Sequence, residues 1–229
     1  MRLKEALDLK PGEVISLVGG GGKTTVMFVL AHELASDGSF IITTTTTKIR
    51  EPSSSDTQLL LVEKDDEKML KLLLENMPDY KHITLARDKA FGKLYGINPG
   101  LMARLADLNH TGYIIVEADG AARRSLKAPN QTEPIIPANT SLVIPVVGTN
   151  ILGCRLTEET VFRSEIASRL LGMTIGEIIS AEAIAFLITH PQGIIKGTME
   201  KARIVPLLNK TDLDNGLKNV KQIFIPPRP

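Results

Sequence analysis

The chain has 229 residues, of which 43% are hydrophobic and 23% charged, and its 27 basic and 26 acidic side chains nearly cancel. This composition excludes a disordered chain, and it leaves no net field that would hold a nucleic acid. No apolar stretch approaches the roughly 20 residues that span a bilayer, and the single cysteine, Cys154, cannot form an internal disulfide. We therefore expect a cytoplasmic protein that binds neither nucleic acid nor membrane.

Short apolar runs alternate with longer amphipathic segments, which is typical of a mostly parallel sheet covered by helices. Strands are predicted at 14–18, 40–45, 59–62, 113–116, 142–147, 204–208 and 222–225. Helices are predicted at 24–36, 66–76 and 99–108, and a longer helical stretch at 157–187 is interrupted at Gly172 and Gly176. The order predicts an α/β fold in which residues 151–200 form a helical insertion or lid.

A glycine-rich loop follows the first predicted strand and precedes an apolar helix. Glycines allow backbone N–H groups to turn toward a phosphate chain, and the helix N-terminus adds partial positive charge. Lys23 can reach the outer phosphates and the Thr24 hydroxyl can bind Mg²⁺, whereas a plain turn needs neither four glycines nor Lys-Thr. The residues predicted to bind nucleotide phosphates are Gly19, Gly20, Gly21, Gly22, Lys23, Thr24 and Thr25.

The loop is shorter than the usual G-x-x-x-x-G-K-[ST] pattern, which would place its first glycine where this chain has Leu17. A short G-x-x-G-K-T-T loop resembles that of the Mur ligase ATPases. The glycine run contains no lysine, which separates it from the loops of the ParA and nitrogenase iron protein type.

Five consecutive threonines, 43–47, end the second predicted strand and precede Lys48. Strand propensity alone can explain them. Because the carboxyl edge of an open α/β sheet is where ligands bind, one or two of the hydroxyls could also reach Mg²⁺ or a phosphate. We predict Thr45 as a metal ligand, with Thr46 and Lys48 as further candidates.

Two acids follow the strand at 113–116, at Glu117 and Asp119. Being two residues apart in extended chain, they point the same way. Carboxylates at this place can hold a metal and orient an attacking group in phosphoryl transfer. We predict both as metal ligands and catalytic residues, together with Lys23.

Three cations come directly after these acids, at Arg123, Arg124 and Lys127. Such a cluster is often only solvated surface. Beside a γ-phosphate it could instead stabilise transferred or substrate phosphate charge, and we predict Arg124 as the catalytic member.

An Asn-Lys-Thr-Asp sequence follows the strand at 204–208. The N-K-x-D pattern reads the base in GTPases, and a carboxylate at Asp212 can accept two hydrogen bonds from guanine that adenine cannot offer. The alternative is a turn that caps a helix. We predict base contacts by Asn209, Lys210 and Asp212, with GTP slightly preferred over ATP.

Together these motifs resemble the YqeC family, accessory proteins of selenium-dependent molybdenum hydroxylases. The likeness rests on 19–24, the threonine run before Lys48, 93–99, 116–121, 124–129, 133–134, 147–148 and 208–212. The resemblance implies a nucleotide-binding protein that helps to mature a selenium or molybdopterin-type cofactor, with a molybdenum hydroxylase or its maturation proteins as partner. The family often has His-Arg where this chain has Phe162-Arg163, which puts any role of that histidine in doubt here.

The expected fold is a three-layer P-loop NTPase fold in one domain over residues 1–229. The leading functional hypothesis is an Mg²⁺-dependent NTPase whose cofactors are Mg²⁺ and GTP or ATP. A P-loop small-molecule kinase or Mur-like ATP-dependent ligase is one alternative. The other is a non-catalytic module that nucleotide only stabilises.

Overall fold

The computed structural model describes residues 2–108, 112–213 and 216–225. In chain order, its elements are α1 (Leu3–Ala6), β1 (Glu13–Gly19), α2 (Lys23–Ser36), β2 (Ile41–Thr45), β3 (Lys48–Arg50), β4 (Leu59–Val62), α3 (Asp66–Asn76), β5 (His82–Ala86), β6 (Asp88–Ala90), β7 (Lys93–Tyr95), α4 (Pro99–Asp107), β8 (Tyr113–Glu117), β9 (Leu126–Lys127), β10 (Leu142–Gly148), a 3₁₀ turn (Thr149–Ile151), β11 (Val161–Phe162), α5 (Ser164–Leu171), α6 (Ala181–Thr189), β12 (Arg203–Ile204), β13 (Leu207–Asn209) and α7 (Gly216–Gln222).

Within the described residues, eight of these strands form one sheet in the order β12-β10-β1-β8-β2-β5-β4, and β13 also pairs with β10. Every pairing in this sheet is parallel. The register sets Leu17 of β1 beside Glu117 of β8, and Glu117 beside Thr45 of β2. Three neighbouring strands therefore end at the same edge, where ligands bind in open α/β sheets.

Helices cover both faces of this sheet. On one face, residues of α2 such as Met27 and Leu30 pack against Ile15 and Leu17 of β1. On the other face, α3 and α4 cover one half of the sheet and α5 and α6 cover the other. Because each strand carries apolar side chains on alternate sides, both layers bury continuous apolar surface. The predicted three-layer α/β class is confirmed.

Local signals explain where the helices begin. Asp65 caps α3, since its carboxylate accepts a hydrogen bond from the Lys68 amide at 2.9 Å. Ser180 caps α6 in the same way through the Ala183 amide at 3.2 Å. Pro99 occupies the first turn of α4, where its missing N–H costs nothing.

The end of the chain differs from the sequence prediction. The strand predicted at 204–208 is split into β12 and β13 around Pro206, because proline cannot donate to a strand ladder. The strand predicted at 222–225 is wrong: Gln222 is the last residue of α7, and 223–225 have no regular structure.

The segment 151–200, predicted as a helical insertion or lid, is only partly helical. It contains two separate helices, α5 and α6, and the part before Arg163 forms turns and the short strand β11. Ile184, Leu187 and Ile188 of α6 are buried against Val143 and Val147 of β10. This segment is therefore one of the layers that cover the sheet.

Two smaller sheets flank the carboxyl edge. The first is antiparallel, in the order β3-β7-β6, and the second pairs β9 with β11 in parallel.

No helix in the described ranges has both the length and the apolar character that crossing a bilayer requires.

Candidate functional site

The glycine loop passes through a space that only glycine can occupy. A Cβ on Gly20 would lie 2.7 Å from the Arg124 carbonyl oxygen, and one on Gly21 would lie 2.2 Å from the Gly148 amide nitrogen. Gly21 and Gly22 also have φ values of +74° and +108°, in the left-handed region that other residues rarely adopt. The four glycines are thus explained by close backbone approach as well as by turn geometry.

The amides of the loop divide into two groups. The Gly20 and Gly21 amides donate to the carbonyl oxygens of Val146 and Arg124, each at 2.9 Å. The amides from Gly22 to Thr25, at the start of α2, have no acceptor within the described part of the chain. A phosphate chain would therefore meet the first turn of the helix rather than every glycine of the loop.

Lys23 lies under the loop and is only 4% exposed. Its Nζ atom donates to the Gly19 carbonyl oxygen at 2.6 Å and lies 3.0 Å from Oδ1 of Asp119 and 3.6 Å from Oε1 of Glu117. Burial opposes the charged ammonium, but the two carboxylates outweigh it, so the pKa of Lys23 is raised above its ordinary value. The lysine predicted to bind phosphate is held by the acids predicted to bind metal.

Thr24 and Glu117 are joined directly: the Thr24 hydroxyl donates to Oε2 of Glu117 at 2.6 Å. Burial raises the pKa of Glu117, and Lys23 and Thr24 offset only part of that rise. Glu117 is the carboxylate that touches both the lysine and the threonine of the loop.

Asp119 is buried deeper, at 1% exposure. Its Oδ2 atom accepts a hydrogen bond from the Gly19 amide at 3.0 Å and lies 3.0 Å from the Lys127 ammonium. Its Oδ1 atom makes no hydrogen bond of good geometry within the described residues, although the Lys23 ammonium lies 3.0 Å away. One oxygen of this buried carboxylate is therefore held only by charge.

The side chains of Thr24, Glu117 and Asp119 carry the kind of atom that can bind Mg²⁺. The Thr24 hydroxyl, the Glu117 carboxylate and Oδ1 of Asp119 are all oxygen atoms, which is the donor type that Mg²⁺ prefers. No group of three or more His, Cys, Asp or Glu side chains placed to hold a metal occurs in residues 2–108, 112–213 and 216–225. Such a sparse set suits an ion that usually keeps waters and takes further ligands from phosphates.

A line of alternating charges leads from the loop to the start of α5. Lys127 is fully buried and lies 2.9 Å from Glu133, which pairs with Arg163 at 2.7 Å. Burial alone would raise the pKa of Glu133, but the bonds from Arg163 and Lys127 prevail and lower it. The Phe162 ring covers both cations, at 5.6 Å from Lys127 and 4.6 Å from Arg163.

Glu133 and Arg163 were not predicted as functional residues. Their signal in the sequence was weak. Both lie in stretches that were named with the family resemblance, and neither follows a predicted strand. Lys127 was predicted as a candidate phosphate ligand, but its ammonium is enclosed between Asp119, Glu133 and the Gly120 carbonyl.

Arg124 makes contacts that lead away from the acids. Its guanidinium donates to the Glu158 carbonyl at 2.8 Å and to the Ala122 carbonyl at 3.2 Å. Its own carbonyl receives the Gly21 amide. Ala122 and Arg123 both have positive φ, and the Arg123 side chain is exposed. The structure brings the backbone of Arg124, rather than its charge, to the glycine loop.

Thr45 is tied into the strand edge. Its hydroxyl donates to the Glu117 carbonyl at 2.8 Å and accepts from the Thr47 amide at 3.0 Å. The hydroxyl predicted as a metal ligand is engaged here with backbone rather than with Thr24 or a carboxylate side chain. Lys48 lies over the Tyr95 ring, 4.7 Å from its centre.

The Asn-Lys-Thr-Asp segment reaches the loop from β13. The Asn209 amide donates to the Gly21 carbonyl at 2.8 Å, and the Lys210 ammonium donates to the Ser125 hydroxyl at 2.7 Å. Asp212 lies in the following turn and is exposed. The segment predicted to read a base therefore lies against the segment predicted to bind phosphates.

Comparison with known proteins identifies the family. The model of the family described as YqeC protein matches residues 15–165, a range that includes the glycine loop, both acids and Arg163. A relative from Escherichia coli (strain K12), named Uncharacterized protein YqeC, is 32% identical over 206 residues, which cover 86% of this chain and 75% of the relative. The chain belongs to the YqeC family.

Proposed function

We propose that this protein is an Mg²⁺-dependent nucleoside triphosphatase that binds its nucleotide at the start of α2. The observation that carries the proposal is the group formed by four amides, Gly22 to Thr25, that find no acceptor among the described residues, and by the buried Lys23 beside Glu117 and Asp119. A helix N-terminus that adjoins a buried lysine favours a polyphosphate.

In the proposed site, the Lys23 ammonium exchanges Asp119 for oxygens of the β- and γ-phosphates. Thr24 would hold Mg²⁺, and Oδ1 of Asp119 would hold it through water, which leaves Glu117 for the attacking water. The ion, when bound, neutralises charge on the phosphates. Asp119 keeps Lys127 and the Gly19 amide as partners, so its charge stays balanced after Lys23 moves.

Glu117 is the proposed group that orients the attacking water. Its carboxylate is buried and its pKa is raised, which suits a group that accepts a proton during hydrolysis. Phosphate release from Mg-GTP should fall by ~100-fold in Glu117→Gln, because the amide cannot accept that proton. Glu159→Gln, an exposed acid beyond the site, is the matched control. Turnover by Glu117→Gln at the wild-type rate would contradict the assignment.

GTP is the nucleotide proposed to bind best. The contact of Asn209 with the Gly21 carbonyl supports this, because it anchors the base-reading segment to the phosphate loop. Asp212→Asn should weaken Mg-GTP binding by about tenfold, since it replaces an acceptor of guanine protons, and should leave Mg-ATP binding unchanged. Xanthosine triphosphate should bind the variant better than the wild type. An unaltered ratio of GTP to ATP affinity in calorimetry would refute the guanine preference.

The cellular setting proposed for this turnover is the maturation of a selenium or molybdenum hydroxylase cofactor. Its support is membership of the YqeC family together with the accessory role that the resemblance implies. A strain that lacks this protein should lose hydroxylase activity and regain it from the wild-type chain but not from Glu117→Gln. Full hydroxylase activity without the protein would exclude this setting.

A further inference from the structure

A cavity of about 450 Å³ lies between α4 and the loop that precedes β10. Its walls are mostly apolar and come from Pro99, Met102 and Ala103 of α4 and from residues 135–138. Thr46, Asn139 and Lys201 are its polar lining residues. The volume falls within the range of sites that hold small organic ligands.

The wall of this cavity is bonded to the acidic strand. The Thr46 amide donates to the Glu117 carbonyl at 3.2 Å, and the Ile135 amide donates to the Ala118 carbonyl at 2.9 Å. The Thr46 hydroxyl links these two lining residues directly by donating to the Ile135 carbonyl at 2.8 Å. Because β1, β8 and β2 are neighbours in the sheet, Thr46, which follows β2, is roughly 10 Å along the same edge from the end of β1, where the glycine loop begins.

The polar lining indicates what the cavity could hold. Lys201 is its charged lining residue and is exposed, with no side-chain partner in the described ranges. Asn139 is fixed because its Nδ2 atom donates to the Met102 carbonyl at 3.1 Å. One cation at the rim of an apolar wall is complementary to a molecule with an apolar body and one anionic group.

We propose that this cavity binds a small anionic ligand with an apolar body and serves as the second-substrate site beside the nucleotide. Its service as a second-substrate site rests on the nucleotide binding proposed above and would make the reaction a group transfer to the ligand rather than to water, whereas the binding of the ligand rests on neither. The kinase or ligase alternative requires such a site, because either reaction needs an acceptor next to the phosphates.

The test uses two fluorescent probes that differ by one charged group. The first is 8-anilino-1-naphthalenesulfonate, and the second is N-phenyl-1-naphthylamine, which lacks the sulfonate. The wild type should bind the sulfonate more tightly.

Lys201→Ala should weaken sulfonate binding by about three- to fivefold and leave the neutral probe unchanged, because only the charge contact is lost. Ala103→Trp should weaken both probes by more than about tenfold, since the indole fills the cavity. Lys218→Ala removes an exposed cation elsewhere and is the control.

Thermal melting establishes that each variant is folded before the affinities are compared. Equal sulfonate affinity in wild type, Lys201→Ala and Ala103→Trp would overturn the proposal. A wild-type dimer that Ala103→Trp dissociates, with no selective loss of sulfonate, would assign the cavity to a second copy of the chain and also overturn it. Lys23→Ala should retain the probe pattern while it loses Mg-GTP. If the wild type shows the probe pattern and binds no nucleotide, the ligand site stands and the proposed function fails.

Discussion

Lys23 is the residue on which the site depends. Its ammonium is held by a carbonyl and two carboxylates at 2.6 to 3.6 Å, so in the proposed site phosphate oxygens would have to replace Asp119. Removing one member of a buried ion pair costs free energy, because the charge of its partner is left unpaired. Exchanging one anion for another avoids this cost, because the cation stays paired. The affinity for the proposed nucleotide would therefore be the difference in free energy between two favourable arrangements of the Lys23 charge.

His82 is a second buried group with a measurable consequence. It is fully buried beside Phe28 and His32, and one ring nitrogen contacts the Thr43 hydroxyl at 3.0 Å. Burial, with a small contribution from the charge of His32, lowers the pKa of His82 to about 4. The unfolded chain binds this proton near pH 6.5, so stability is lost as the pH falls from 6.5 toward 4.

The expected loss is about 2 kcal/mol in the free energy of unfolding between pH 7 and pH 5, as measured by urea denaturation. His82→Gln should remove about that much of the pH-dependent loss, because the amide does not titrate. An equal loss in the variant and in the wild type would mean that His82 does not stay neutral in the fold.

At the scale of single residues, the sequence predicted which side chains meet but not how. Lys23, Thr24, Glu117 and Asp119 come together because strand ends and a helix start converge at one sheet edge. Which of these side chains pair with one another depends on burial, and a sequence motif does not show burial. The bond from Thr45 to the Glu117 carbonyl was not predicted for the same reason, since it follows from strand register.

The pair of strands β9 and β11 joins the acidic strand to α5. Each strand has two residues, so backbone pairing alone gives little stability, and the Lys127–Glu133–Arg163 ion pairs lie at the same place. We infer that these ion pairs fix the start of α5. The packing of the 151–200 segment on the sheet through α6 could not be predicted from sequence, because helical periodicity does not reveal which face of a sheet a helix covers.

Removing the central charge of this group tests that inference. Glu133→Gln should lower the free energy of unfolding by about 2 kcal/mol, because Lys127 and Arg163 lose their shared anion. Glu159→Gln, an exposed acid in the same segment, should change it by less than about 0.5 kcal/mol. Amide hydrogens of residues 161–171 should exchange faster in Glu133→Gln. Equal stability of the two variants would show that the ion pairs are not structural.

At the scale of the whole molecule, the parallel sheet directs three kinds of group to one edge. The glycine loop follows β1, Glu117 and Asp119 lie at the end of β8, and the Asn-Lys-Thr-Asp segment begins at the end of β13. The strongest strands were predictable because they are continuously apolar. The break at Pro206 and the helix at 216–222 were not, because the first depends on one residue and the second on a tertiary contact, in which Asn219 donates to the Thr149 carbonyl.

Nucleotide binding at the start of α2 is the central claim. Calorimetric titration with Mg²⁺ and a non-hydrolysable GTP analogue measures this binding directly. The wild type and Lys93→Ala, which removes an exposed cation from β7, should bind equally. Lys23→Ala, shown to be folded by circular dichroism, should bind ~10- to 100-fold more weakly, because a charge-assisted contact to phosphate is lost. A folded Lys23→Ala variant that binds as tightly as the wild type, or a wild type that binds no nucleotide, would contradict it.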